Sequence, residues 1–234
     1  MIRENLNRIL ETIAQASQKS GRSPGDVKLT AVSKLVDAAT IQQAVDCGQL
    51  IFGENYLQEA AGKIPLFPPT VQWRFIGHLQ SNKAKQAVEF FDAVETVDRL
   101  KIARALDYHA VLLHKPLSVL IQVNIGREKQ KSGVLPEALE QLARVIGQET
   151  RLRIDGLMAM PPWSDDPEQS RPYFRELRQL SKQLAAQGLF ADNDRIQLSM
   201  GMSGDYAVAV EEGATIVRVG TALFGNRNYQ GAVE

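Results

Sequence analysis

The sequence predicts an α/β fold, a (β/α)8 barrel of the TIM type with an extra helix at its N-terminus, and three observations favour it. Apolar runs rich in β-branched residues alternate with stretches of helical periodicity along the whole chain. Eight such pairs fit into 234 residues, near the ~250 that such a barrel usually takes. No G-x-G-x-x-G motif follows the first predicted strand, which disfavours a doubly wound open sheet. We therefore expect one domain over residues 1–234.

The predicted elements follow in order. In the N-terminal helix, Leu6, Ile9, Leu10 and Ile13 share an apolar face. Helical patterns come after nearly all of the strands, which are predicted at 28–34, 50–55, 72–77, 93–97, 118–124, 153–160, 195–200 and 215–220.

Two helix boundaries have a specific sequence signal. Gly48 follows the helical stretch after the first strand, and a glycine just past a helix commonly takes the left-handed conformation that ends it. Asp98 precedes the helix after the fourth strand, and an aspartate there is a good N-cap.

The composition excludes several classes of protein. The formal net charge is zero, so there is no electrostatic signal for nucleic acid or an anionic membrane surface. No apolar run approaches the roughly 18 residues of a membrane span, and the N-terminus lacks the apolar core of a signal peptide. Cys47 is the only cysteine, so neither a disulfide nor a thiolate-rich metal site is expected. With one cysteine and no expected disulfide, the reducing cytoplasm is the simplest location to expect. The chain has three histidines and no clustered carboxylates, so no metal site is expected.

The C-terminal ends of barrel strands converge on one face, where functional residues collect. Here those ends combine polar residues, glycines and three methionines with a single lysine and a single arginine. They are Lys34, Asn55, Gly77, His78, Asn124, Met158, Met160, Ser199, Met200, Gly201, Arg218, Gly220 and Thr221.

Lys34 allows two interpretations. A lysine just past a strand is most often a solvated surface residue. Alternatively, a lysine among apolar strand residues loses hydration, which lowers the pKa of its ammonium and makes the amine nucleophilic toward aldehydes. The position alone does not decide between a surface lysine and a Schiff-base lysine.

The glycine-rich segments SMGMSG (199–204) and VGTALFG (219–225) each follow a strand and open a helix. Such backbone binds anions, and barrels commonly place phosphate after strands seven and eight. Tight turns are the alternative explanation for these glycines.

Arg218 also allows two interpretations: it either pairs with a carboxylate inside the barrel or faces a ligand at the mouth of the barrel. An amine, an anion site and a fixed cation together fit a phosphorylated aldehyde, for which pyridoxal 5′-phosphate (PLP) is the obvious candidate.

The chain resembles a known family over essentially its whole length. The resemblance is carried, in the same order and spacing, by AVSK (31–34), FGENYLQE (52–59), FIGHLQSNK (75–83), VNIGREKQKSG (123–133), GLMAM (156–160), LSMGMSGD (198–205) and VRVGTALFG (217–225). The sequence is thereby similar to the pyridoxal phosphate homeostasis proteins, the YggS/PROSC family. GLMAM and the proline-rich loop after it are expected to vary.

The resemblance implies a PLP barrel of fold type III, like the N-terminal domain of alanine racemase. It makes Lys34 the Schiff-base lysine and sets Arg218 at the pyridine nitrogen. It also implies further cofactor contacts with the phosphate, the ring and the mouth. These are Ser199, Gly220 and Thr221 for the phosphate, with Gly201 and Ser203 beside them, Asn55 and Met200 near the ring, and His78 at the mouth.

The function implied by the resemblance is binding of PLP and maintenance of the balance of PLP, amino acids and keto acids. Apo forms of PLP-dependent enzymes are the expected recipients, and a monomer is expected. An arginine stays protonated, so it keeps the pyridine nitrogen unprotonated and the ring a poor electron sink. Racemases of this fold type take one base from a second domain. We expect no such domain here, and a positioned base contributes about 10²–10⁴-fold. A carrier without efficient catalysis is therefore expected.

Three other functions are alternatives. A fold type III racemase or decarboxylase would exchange a substrate α-hydrogen with solvent. A Schiff-base aldolase or phosphosugar isomerase would need an acid–base group near Lys34, and Glu54 is expected to face away from it. A protein-interaction module leaves the lysine and both glycine loops unexplained.

The segment REKQKSG (127–133) also has two interpretations. Arg127, Lys129 and Lys131 form either an ordinary solvated surface or a secondary amine site through which the cofactor enters or leaves. His109 and His114 fall at a helix end, where histidine commonly stabilises the helix dipole.

Overall fold

A computed structural model describes residues 1–225; residues 226–234, the end of the expected single domain, lie outside the described part. The strands are β1 Lys28–Val32, β2 Ile51–Glu54, β3 Gln72–Phe75, β4 Ala93–Val97, β5 Ser118–Val123, β6 Arg153–Ala159, β7 Gln197–Ser199 and β8 Ile216–Val219. The α-helices are α1 Ile2–Lys19, α2 Ala38–Asp46, α3 Leu57–Lys63, α4 Ala84–Phe90, α5 Leu100–Leu112, α6 Pro136–Glu149, α7 Arg171–Ala186, α8 Tyr206–Glu211 and α9 Thr221–Phe224.

The strands form one closed parallel barrel in the order β1 to β8, with β8 pairing back onto β1. Thr30 lies in register with Arg218 across that closing seam. The predicted (β/α)8 barrel with an added N-terminal helix is therefore confirmed. Within residues 1–225, none of the helices has both the length and the apolar character needed to cross a membrane.

Helix α1 packs on the outside of the barrel, beside the helices that follow β7 and β8. Its Leu6, Ile9 and Ile13 are buried, and the helix packs against α8 and α9. The side-chain amide of Asn5 donates to the carbonyl of Leu223 at 3.0 Å. Leu10, expected on the same buried face, is 46% exposed, so that part of the prediction is wrong. It lies one position beyond Ile9 around the helix, on the side that turns to solvent.

Most strands are one to three residues shorter than predicted, and two differences at the boundaries of elements have structural consequences. Arg99, not Asp98, is the N-cap of α5; the helix has no side-chain cap, and Asp98 instead pairs with the guanidinium of Arg99 at 2.5 Å. Strand β1 ends at Val32, two residues earlier than expected, so Lys34 lies in a turn. Gly48 behaves as predicted, because it takes φ +94° directly after α2 and its C-cap residue.

The barrel interior is charged near its centre. Arg74, Glu95 and Arg218 are buried there, each on a different strand. Buried ions need partners, because desolvating an unpaired charge costs several kcal/mol. This layer forms the floor beneath the face where the strands end.

Candidate functional site

A cavity of about 360 Å³ opens at the C-terminal ends of the strands, and we name it the mouth cavity. Its size lies in the range of about 300–1,000 Å³ typical of ligand sites. Residues at or just after the ends of six strands, β1, β2, β3, β6, β7 and β8, contribute to its wall. They are Val32, Lys34, Asn55, Ile76, Met160, Pro161, Pro162, Trp163, Ser164, Met202, Ser203, Gly204, Asp205, Arg218, Gly220 and Thr221.

Lys34 reaches the mouth cavity from a tight turn that follows β1. The N–H of Val36 donates to the carbonyl of Ser33 at 3.0 Å, which closes the turn around Lys34 and Leu35. Leu35 takes φ +59°, the left-handed conformation that favours glycine at this position of a turn. The lysine is thus presented by a turn with a strained backbone, a feature that concentrates at functional sites.

Asn55 follows β2 and brings an amide group to the mouth cavity. Its Oδ1 atom is buried and has no hydrogen-bond partner among the described residues. Its backbone lies against Gly77, where any Cβ atom would collide with the carbonyl of Asn55. The close approach explains the glycine at the end of β3. A buried acceptor without a donor costs stability, so this oxygen is suited to a ligand that donates a hydrogen bond.

The loops after β7 and β8 meet on the other side of the mouth cavity. The Oγ atom of Ser203 accepts hydrogen bonds from the backbone N–H groups of Gly220 and Ala222, at 3.3 and 3.4 Å. These bonds are long, and Thr221 adds a second hydroxyl to the same wall. Backbone N–H groups and hydroxyls are the donors that phosphate sites use.

Arg218 supplies the positive charge at the base of the mouth cavity. Its guanidinium donates to Oγ of Ser199 at 2.6 Å and to the carbonyl of Ala159 at 2.9 Å. Ser199 in turn bonds the carboxylate of Glu95, which also pairs with Arg74. Burial lowers the pKa of Arg218, and the negative charges of Glu95 and Asp205 oppose that effect. The arginine is therefore fixed in place from below and keeps its cationic form.

The structure brings six of the ten predicted cofactor contacts to the mouth cavity: Lys34, Asn55, Ser203, Arg218, Gly220 and Thr221. The other four lie outside its lining. Ser199 and Met200 are completely buried, and Gly201, at φ +93°, packs against α8. His78 is exposed, with Nδ1 3.1 Å from Oγ of Ser132. Direct contacts with the cofactor stay predictions for all ten residues.

Sequence reasoning missed the loop after β6. Met160 was expected on the shared face, but residues 161–164, which also line the mouth cavity, were expected only to vary. Two contacts fix the loop: Pro162 lies against Gly126, and the ammonium of Lys131 donates to the carbonyl of Pro161 at 3.0 Å. Trp163 is left 80% exposed at the rim. The position of the loop directly after a barrel strand was the available signal.

The charges of the segment 127–133 are mostly engaged at the surface. Arg127 pairs with Glu137 and Glu176 at 2.8 and 2.9 Å, and Lys131 pairs with Glu128. Lys129 is exposed. Among the residues that the structure describes, no group of three or more His, Cys, Asp or Glu side chains is arranged to hold a metal ion.

Residues 5–228 match the family described as the alanine racemase N-terminal domain. The pyridoxal phosphate homeostasis protein of Vibrio alginolyticus is 43% identical over 233 residues, which cover 97% of this chain and 98% of that protein. The chain belongs to the pyridoxal phosphate homeostasis protein family. The recognition made from the sequence motifs is confirmed.

Solved structures agree with this membership. PipY of Synechococcus elongatus, a structure with PLP bound, superposes with a TM-score of 0.81 at 36% identity and covers 96% of this chain and 100% of that one. Alanine racemase of Corynebacterium glutamicum superposes with a TM-score of 0.69 at 17% identity, covering 98% of this chain and 64% of that one. The racemase likeness concerns the fold alone.

Proposed function

We propose that this protein binds PLP through a Schiff base at Lys34 and carries or buffers it within the cell, without efficient catalysis. One observation carries the proposal: Lys34, the donor group of Ser203, Gly220 and Thr221, and the buried Arg218 share one cavity. Relatives named for pyridoxal phosphate homeostasis, and a similar structure with PLP bound, support it. Apo forms of PLP-dependent enzymes are the proposed recipients, and we propose a monomeric, cytoplasmic protein.

The residues of the mouth cavity fit the chemistry of this cofactor. PLP has an aldehyde, a phosphate dianion and a phenolic oxygen on one pyridine ring. The amine of Lys34, the donors of Ser203, Gly220 and Thr221, and the side-chain amide of Asn55 stand around the cavity. The amine suits the aldehyde, the donors suit the phosphate, and an amide can donate to the phenolic oxygen.

When bound, PLP supplies an aldehyde that condenses with a primary amine and releases water. The nitrogen of Lys34 would be the amine that reacts. Ser203, Gly220 and Thr221 would hold the phosphate and so position the aldehyde relative to Lys34. Arg218 remains cationic and is held by Ser199 and Ala159, so it supplies a hydrogen-bond donor without a proton to give away.

The proposed lack of efficient catalysis has support in the wall of the cavity. Racemisation of an amino acid needs acid–base groups on two sides of the reacting carbon. Among the described residues that line the mouth cavity there is no tyrosine or histidine, and Asp205 is the one carboxylate. Asp205 accepts a hydrogen bond from the N–H of Met202 at 2.6 Å. Beyond Lys34, this wall offers little that would act as a second base.

The test is covalent trapping of the cofactor. The protein is loaded with PLP, reduced with borohydride and digested, and the pyridoxyl group is located by mass spectrometry. We expect it on Lys34, and we expect its loss in Lys34→Ala. Lys28→Ala is the matched control, because Lys28 begins β1, the strand that leads to the Lys34 turn, and lies at the opposite end of the barrel. A wild-type protein that takes up no PLP would refute the proposal.

The alternative function is tested in the same preparation. The loaded protein is incubated with single amino acids in deuterated water, and the α-hydrogen is followed by NMR. A carrier shows slow exchange at most. Exchange at rates typical of enzymes would replace the carrier with a racemase or decarboxylase.

A further inference from the structure

The two peptide groups on either side of Lys34 are each held by a charged side chain from outside the barrel. The ammonium of Lys63 donates to the carbonyl of Ser33 at 2.9 Å. The N–H of Leu35 donates to Oε1 of Glu59 at 2.6 Å. Because peptide units are planar, the orientations of these two units set φ and ψ of Lys34. The two contacts therefore fix the direction in which the lysine side chain leaves the backbone.

The charges that make these contacts form one cluster, which we name the Lys63 clamp: Lys63, Glu54 and Glu59. Lys63 pairs with Glu59 and with Glu54, the latter at 3.1 Å. Glu54 is completely buried and also accepts a hydrogen bond from Oγ of Ser33 at 2.7 Å. Burial raises the pKa of Glu54, and the ammonium of Lys63 and the hydroxyl of Ser33 oppose that effect. The clamp thus binds both neighbours of Lys34.

The Lys63 clamp lies behind the mouth cavity rather than in it. Its three side chains are not part of the described cavity lining; Glu54 lies on β2, and Glu59 and Lys63 lie on α3. The clamp therefore acts on the lysine through the backbone, without touching whatever fills the cavity.

The turn has a physical need for such support. Leu35 holds φ +59°, which is uncommon for a residue with a bulky side chain. A strained conformation of this kind persists only where surrounding contacts impose it. Glu59 supplies one such contact, because its carboxylate accepts a hydrogen bond from the N–H of Leu35. Loss of the clamp would let the turn relax and the lysine change direction.

We infer that the Lys63 clamp positions the amine of Lys34 for covalent capture of an aldehyde held at the opposite wall of the mouth cavity. Lys63, Glu54 and Glu59 are positioning residues in this inference, which rests on the proposed function. Capture joins the lysine nitrogen to the aldehyde carbon and releases the aldehyde oxygen as water. A small displacement of the amine suffices to weaken it, because a misplacement of about 1 Å can cost on the order of 10²-fold in a positioned reaction.

The experiment compares two ligands in two lysine variants. PLP has the aldehyde and the phosphate, whereas pyridoxine 5′-phosphate has the phosphate and ring but cannot form the covalent bond. Lys63→Met removes the clamp. Lys115→Met is the matched control, because Lys115 also donates to a backbone carbonyl, that of Phe91 at 2.9 Å, but from the loop before β5, away from the mouth cavity. Affinities for both ligands and borohydride-trapped adduct are measured for each folded protein.

We expect Lys63→Met to bind PLP about tenfold or more weakly, to trap less adduct and to bind pyridoxine 5′-phosphate like the wild type. Lys115→Met should match the wild type with both ligands. Equal weakening of both ligands by Lys63→Met, or no weakening of PLP, would overturn the inference. A wild-type protein without adduct would instead refute the proposed function.

A second pair of variants covers the case in which Lys63→Met does not fold. Glu59 is partly exposed, so its replacement disturbs the core less. Glu59→Ala removes the acceptor for the N–H of Leu35 and should weaken PLP selectively. Glu59→Gln retains an acceptor oxygen and should restore most of that loss. Identical PLP affinity of Glu59→Ala and the wild type would contradict the role of the clamp.

Discussion

The guanidinium of Arg218 and the hydroxyl of Ser199 lie 2.6 Å apart in the closed interior of the barrel. Ser199 is in register with Ile216, two residues before Arg218, so it lies deeper than the cavity that Arg218 helps to line. Its hydroxyl joins Arg218 to Glu95. This relationship gives Ser199 a role in orienting the arginine, beside the phosphate contact that the family resemblance implies for it.

The two serines after β7 allow these roles to be separated. Ser203 lines the mouth cavity, so Ser203→Ala should weaken pyridoxine 5′-phosphate by about tenfold through loss of a hydrogen bond to a charged group. Ser199→Ala should change that affinity much less and should lower the free energy of unfolding. Isothermal titration and urea unfolding of both variants measure this. The reverse order of affinities would make Ser199 the phosphate ligand.

Glu95 compensates the charge of two buried arginines. It pairs with Arg74 and reaches Arg218 through Ser199. Glu95→Gln removes the carboxylate that pairs with Arg74 and leaves Asp205 as the one negative charge acting on Arg218 among those described above. Removal of one partner from a buried ion pair costs about 3–5 kcal/mol. Urea unfolding should show a loss of that size. Glu140→Gln, which removes an exposed pair with Arg144 on α6, is the control and should have a far smaller effect. Similar losses in the two variants would contradict this account.

The barrel itself was predictable from the sequence because its signal is repeated eight times. Errors at single positions, such as Leu10 or Asp98, leave the alternation of strands and helices intact. The C-terminal ends of barrel strands lie on one face. The positions of Lys34, Asn55, Arg218 and Thr221 at strand ends therefore suffice to predict that they lie close together. These residues required only the topology.

The remaining details depend on tertiary contacts that periodicity does not encode. Ser199 and Ser203 occur in the same short motif, and only the depth of each in the barrel separates a floor residue from a cavity residue. Leu35 has a left-handed conformation, and its N–H donates to Glu59, which belongs to another element. The loop that carries Trp163 has no regular pattern, so its place at the mouth cavity became visible only in three dimensions.

Asp37 makes the stability of α2 depend on pH. It is the N-cap, and its carboxylate accepts from the N–H of Thr40 at 2.8 Å. This backbone hydrogen bond, with one from the hydroxyl of Thr40, lowers the pKa of Asp37. The stabilisation is therefore fully present above the ordinary aspartate pKa of about 3.9 and is lost as the pH falls through the lower folded-state value.

Asp37→Ala should therefore lower the free energy of unfolding by about 1 kcal/mol near neutral pH. This loss of stability should shrink as the pH falls through the pKa of Asp37 in the folded protein. Asp37→Asn keeps a capping oxygen without a titrating proton, so its stability should lie near that of the wild type at neutral pH. Urea unfolding at several pH values checks both. A cost of Asp37→Ala that stays constant into strongly acidic solution would refute the cap.

Trp163 should report occupancy of the mouth cavity. It lines the cavity at its rim, whereas Trp73, the other tryptophan of the chain, is buried against Phe52 and Phe67. PLP absorbs where indoles emit, so its binding should quench Trp163 by energy transfer, which falls steeply with distance. Titration with PLP should therefore lower the fluorescence of the wild type strongly and that of Trp163→Phe weakly. Trp73→Phe is the matched control and should retain most of the quenching. If the quenching instead disappears in Trp73→Phe and persists in Trp163→Phe, PLP binds away from the mouth cavity.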